Sequence, residues 1–144
     1  MKGSTMTDAT RTYEIPDSMQ HKVISLADAP EIPGRRTFLQ YFDVGIADAS
    51  NGLISTQVTK VRAGMTNPTG WHYHDCVFQW LFITKGWLEL QFENGESKRI
   101  EQGSVCFIPG GYRHNETGTS DDLEFVEIFM PPKPRTVAVE SPLA

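Results

Sequence analysis

Three of the four histidines in this chain stand at spacings that suit one metal ion. His72 and His74 are two apart in Trp71-His72-Tyr73-His74, and His114 ends the run Pro109-Gly110-Gly111-Tyr112-Arg113-His114. Gln79, five residues after His74, offers an amide oxygen that can complete the set. Neutral imidazole is the commonest protein ligand for transition metals. The expected cofactor is one divalent transition metal, and three nitrogens with one oxygen suit Zn, Ni, Fe, Mn or Co. Three hydrogen-bonded core histidines are the bland alternative, and the paired spacing fits them poorly. For Gln79 the alternative is a place outside the coordination sphere, bonded to a histidine or to water.

The segments around these residues must bring them together. Residues two apart on a strand point to the same face. His114 lies some forty residues further on and can meet that face only inside a closed β-structure. From Thr37 onward the chain reads as all-β, with short apolar or alternating segments broken by turn residues. Leu53 to Arg62 alternates, and Val77 to Thr84 is nearly all apolar, as expected of a strand buried on both faces. Trp87 to Glu93 sets Leu88, Leu90 and Phe92 against Glu89, Gln91 and Glu93, and Asn94-Gly95 then supplies a hairpin turn. Val105 to Ile108 reads as a short buried strand, and Leu123 to Met130 as the last strong one, stopped by Pro131-Pro132-Lys133-Pro134. Residues 1–36 carry Pro16, Pro30, Pro33 and Gly34 and read as an extended N-terminal arm with one short strand around His21 to Leu26. The barrel is expected over 37–131, and 132–144 as a loose C-terminal tail.

The 144 residues make one domain by length and are enough for a single core. With 39% hydrophobic and 22% charged residues, the composition is that of an ordinary globular protein. A net charge of −5 argues against nucleic acid or an anionic membrane as partner. A small molecule is the expected partner, and an anionic one remains open because a divalent metal makes its pocket locally positive. No apolar run reaches the roughly 18 residues that span a bilayer, and the N-terminus has no apolar signal core, so a cytoplasmic location is expected. Met6 is a candidate natural start, which would make residues 1–5 an expression remnant. Cys76 and Cys106 lack CxxC spacing and read as free thiols.

These motifs resemble those of a small single-domain cupin. The family's first motif, G-x5-H-x-H-x3,4-E-x6-G, is matched by His72, His74, Gln79 and Gly86. Its second, G-x5-P-x-G-x2-H-x3-N, is matched by Gly103, Pro109, Gly111 and His114. Three positions depart: Gly64 stands eight residues before His72, position 118 is Gly, and Gln79 replaces the usual glutamate. The resemblance implies a β-barrel or jelly roll, a metal held by His72, His74, Gln79 and His114, and a homodimer joined through sheet edges. Small cupins that open unsaturated uronates carry a similar His-His-Gln-His ligand set.

An amide in place of the carboxylate leaves the ion its full +2 charge, which favours Lewis-acid chemistry on a hydroxy-carbonyl compound. An isomerase, lyase or ring-opening enzyme is therefore expected. The alternatives are a non-haem Fe(II) dioxygenase and a non-catalytic binding or sensing module. Tyr112, which shares parity with His114, and Arg113, a potential carboxylate clamp, are the candidate catalytic residues. Trp71 and Tyr73 alternate away from the histidines and read as outer packing. Arg62 and Glu127 read as rim charges, unless either faces the barrel interior, where it becomes a binding or acid–base group.

Overall fold

The computed structural model describes residue 10 and residues 12–144; the candidate start Met6 and the expected remnant before it lie outside the described residues. The described strands are β1 (Glu31–Ile32), β2 (Leu39–Asp43), β3 (Ser55–Val61), β4 (His72–Asp75), β5 (Phe78–Lys85), β6 (Trp87–Phe92), β7 (Ser97–Glu101), β8 (Val105–Pro109), β9 (His114–Thr119), β10 (Glu124–Met130) and β11 (Arg135–Ala138). They form two antiparallel sheets, ordered β1-β2-β3-β10-β5-β8 and β11-β4-β9-β6-β7. This is an all-β jelly roll, in which two sheets bury their inner faces against each other. Among the described residues no helix is long and apolar enough to cross a membrane.

Alternation along the strands builds the core. Leu81 and Ile83 of β5 meet Leu88 and Leu90 of β6, with Ile100, Ile108, Leu123 and Phe125 completing the cluster. Each such side chain contributes about 1.5–3 kcal/mol by leaving water. β5 is not buried on both faces: Gln79, Leu81 and Ile83 point inward, while Phe78, Trp80 and Phe82 are half-buried outside. β8 is likewise one-sided. Cys106 and Ile108 face the core, whereas Val105 and Phe107 are 54% and 59% exposed. An edge strand with a solvated outer face can carry apolar side chains on both sides, so hydrophobic content alone does not give its facing.

The sheets extend beyond residues 37–131 at both ends. In the arm, β1 pairs with β2, the Gln20 amide donates to the Ala49 carbonyl, and that of Asp43 to the Pro30 carbonyl. No strand forms around His21 to Leu26; a single 3-10 turn covers Leu26–Asp28. Gly34 lies flat on the Tyr41 ring, where a Cβ would sit 1.8 Å from ring carbons. In the tail, Arg135–Ala138 is not loose but pairs as β11 with β4. β9, whose sequence is His-Asn-Glu-Thr-Gly-Thr, is an internal strand between β4 and β6.

Candidate metal centre

β4 and β9 lie side by side with His72 directly opposite His114, so two histidines from distant segments start on one pair of strands. The turn before β9 locks this register. The Gly110 amide donates to the Val77 carbonyl at 2.9 Å and the Gly111 amide to the His74 carbonyl at 3.0 Å. A Cβ on Gly110 would sit 1.5 Å from the Cys76 carbonyl oxygen, so only glycine lets the turn approach this closely.

The three imidazoles converge, with ring centroids 4.5 Å apart for His72–His114 and 5.3 Å for each pair with His74. One ring nitrogen from each lies within 4.8 Å of the others, a cluster that could hold a metal ion. Their Nδ1 atoms face outward. His72 Nδ1 donates to the Gly70 carbonyl at 2.8 Å and His114 Nδ1 to the Tyr112 carbonyl at 2.9 Å. A carbonyl can only accept, so each Nδ1 carries the proton and each Nε2 presents a lone pair. Both Nε2 atoms are buried and have no hydrogen-bond partner among the described residues. His74 Nδ1 meets the Thr136 hydroxyl of β11 at 2.9 Å. Partners of this kind orient metal-bound imidazoles.

Gln79 approaches from the opposite sheet. Its Nε2 donates to Glu127 Oε1 at 2.5 Å, which fixes the amide so that Oε1 points away from Glu127. That Oε1 is also buried without a partner. Two imidazole nitrogens and one amide oxygen, all acceptors, are therefore left unmatched around this site, and a cation is a group that would satisfy them together.

Two carboxylates flank the cluster. Glu127 is 6% exposed and accepts from Gln57 Nε2 at 2.8 Å as well as from Gln79. Burial raises its pKa, against the two amide bonds. Glu127 thus faces the interior rather than the rim. Glu116 accepts from the Thr69 hydroxyl, and its Oε2 lies 3.5 Å from His72 Nε2. Burial opposes its ionisation, but the imidazoles of His72 and His114, the Thr69 bond and Arg36 hold its carboxyl below the usual range. Burial pulls His74 down to about 3, and lowers His72 too.

A cavity of ≈ 730 Å³ opens onto this site, lined by His74, Gln79, His114, Glu116 and Glu127 and walled by Arg35 and Arg36 of the arm. Tyr112 and Arg113 are not among its lining residues. Tyr112 packs against the core beside Phe92, and Arg113 binds Glu93 through Nη2 at 2.8 Å. Arg62 is an exposed charge paired with Glu31, and Trp71 and Tyr73 are half-buried. Cys76 and Cys106 are free, with burial raising both thiols, Cys106 to about 11.

Sequence reasoning missed Glu116, Thr136 and the two arginines. Glu116 carried a usable signal, since it stands two residues from His114 and so shares its face. The others reach the site only through the packing of the chain ends.

A cupin domain profile matches residues 58–129, half of the chain, and the chain belongs to the cupin family. Solved structures agree on the fold. The polyketide cyclase RemF from Streptomyces resistomycificus superposes with a TM-score of 0.66 at 18% identity, covering 85% of this chain and 90% of that one. KdgF from Halomonas sp. gives 0.60 at 19% identity, over 74% and 92%. Oxalate decarboxylase from Bacillus subtilis gives 0.61 at 14% identity, over 86% of this chain and 33% of its own. A search of curated proteins returned no match.

Proposed function

We propose that this cupin is a metal-dependent enzyme that acts as a Lewis acid on a small oxygenated metabolite, in an isomerase, lyase or ring-opening reaction. The observation that carries this reading is the set of unmatched acceptors, His72 Nε2, His114 Nε2 and Gln79 Oε1, beside a deep cavity. His72, His74, Gln79 and His114 would hold the ion. When bound, it would polarise a carbonyl or enediol oxygen of the substrate. The cavity volume lies in the usual range for small-molecule sites. Leu81, Leu88, Phe125 and Phe129 supply its apolar wall, while Glu127 borders the cavity as a group able to accept or return a proton. RemF and oxalate decarboxylase, by name, act on oxygenated carbon compounds, which is the substrate class this cavity suits. The exposed apolar strip of Val77, Val105 and Phe107, beside the edge of β8, supports a homodimer.

Elemental analysis of protein purified without added metal tests the first half of this reading, and about one equivalent of a transition metal is expected. Turnover of a panel of uronates, hydroxy-ketones and diketones with and without oxygen tests the second. Oxygen-independent turnover supports the Lewis-acid reading. Strict dependence on oxygen replaces it with the Fe(II) dioxygenase, and metal binding without turnover replaces it with a binding module.

A further inference from the structure

The cupin pattern places a carboxylate at position 79, and this chain has an amide there. A second carboxylate stands beside the site. Glu116 projects from β9 on the same face as His114, and its Oε2 stands 3.5 Å from His72 Nε2. His72 donates through Nδ1 to the Gly70 carbonyl, so the neutral ring turns a lone pair toward that carboxylate. A lone pair facing an anion at this distance is repulsive unless a proton or a metal cation lies between them, and a metal would satisfy His114 Nε2 and Gln79 Oε1 as well. Two ligand atoms sharing one zinc-sized ion, each roughly 2.0–2.2 Å from it, stand about 2.8–3.6 Å apart for angles between octahedral and tetrahedral, a range that includes the separation found here.

We propose that Glu116 is a ligand of the metal, supplying from β9 the negative charge that Gln79 withholds on β5. The inference rests on the metal reading above and changes its electrostatics. The occupied centre carries a net +1 rather than +2, so its Lewis acidity and its attraction for anions are tempered. The Thr69 hydroxyl bonds the same Oε2, and a carboxylate has lone pairs enough for both partners. The Thr69 bond also fixes the carboxylate to the loop that precedes β4, which makes that loop part of the ligand's support. The opposing account is that Glu116 exists to neutralise Arg35 and Arg36, whose charges it feels.

The test uses Co(II) and Zn(II) titration of the full chain, with Co(II) absorption as a direct view of the ligands. Wild type is compared with Glu116→Gln and Glu116→Asp. Under the proposal Glu116→Gln binds Co(II) at least about tenfold more weakly and shifts the visible spectrum. Azide, as a probe anion, then binds the Co(II) form of that variant more tightly than it binds wild type, because one negative charge has gone. General structural damage would move azide affinity the other way. Should Glu116→Gln fail to fold, Glu116→Asp keeps the charge but shortens the reach, and weaker Co(II) binding is expected there too. Wild-type affinity, spectrum and azide binding in the folded variants overturn the proposal and favour the arginine account. Failure of wild type itself to take up either metal overturns the underlying metal reading instead.

Discussion

Gln79→Glu restores the residue that the family pattern places at this position, yet the surroundings of Gln79 predict a penalty for it. Gln79 Nε2 donates to Glu127 Oε1 at 2.5 Å in a buried site. The substitution removes the donor and leaves two carboxylates at that separation. With an effective dielectric of about 20, two like unit charges this close repel by roughly 7 kcal/mol. Keeping one proton on the pair is cheaper. Near pH 7 it costs about 1.4 kcal/mol for each of the roughly 2.7 units above an ordinary glutamate value, or about 4 kcal/mol. Burial already biases Glu127 toward the protonated form, so a loss of about 2–4 kcal/mol is expected for metal-free protein. The folded pair has a raised pKa, so the deficit is largest at neutral pH and shrinks as pH falls toward about 4. Urea denaturation of metal-stripped wild type and Gln79→Glu near pH 7 and pH 5 measures it. Adding Glu127→Gln returns an amide donor to the new carboxylate and recovers at least about half of the loss. A single variant within about 0.5 kcal/mol of wild type at neutral pH, or a double variant no better than the single, refutes the geometry assigned to this pair.

Thr136→Val removes the hydroxyl that holds His74 Nδ1 and is expected to weaken Co(II) affinity by about 10- to 100-fold, read by competition with a chelator. Burial holds His72 and His74 below their ordinary pKa, so the unfolded chain takes up protons first as pH falls through about 6.5; metal-free protein then loses up to about 1.4 kcal/mol per pH unit for each ring, and a thermal midpoint that stays flat down to about pH 5 contradicts this. Gly110→Ala sets a methyl group against the Cys76 carbonyl and is expected to cost about 3 kcal/mol or more, measured as a fall in denaturation midpoint. Phe107→Glu on the exposed strip is expected to turn a dimer into a monomer in sedimentation while leaving metal content unchanged; a wild type that sediments as a monomer ends the dimer reading.

The legible parts of this molecule were those where one periodicity met one environment. β6 alternates cleanly because one face meets the core and the other does not, and its Leu88 and Leu90 are buried as read. The β4 pair of histidines and the Pro109-Gly110-Gly111 turn were legible because their spacing reflects strand parity and a close backbone approach. β9 escaped notice because an internal strand that faces a polar cavity has no hydrophobic rhythm. β8 reads as a short buried strand because Val105 and Phe107 are apolar, although they look outward. Thr136 was illegible for a different reason: it reaches the cavity through pairing of β11 with the distant β4, and such long-range registration leaves no local trace, while Arg35 and Arg36 sit in a connection between β1 and β2 whose facing no periodicity marks.

The outward contacts of the three rings are not equivalent. Two end on carbonyl oxygens, which tolerate a single tautomer, whereas the third ends on the Thr136 hydroxyl, which can give or receive a proton by rotating. His74 is therefore the one ring of the three whose outward partner leaves either tautomer open, and that freedom comes from β11, the last of the described strands.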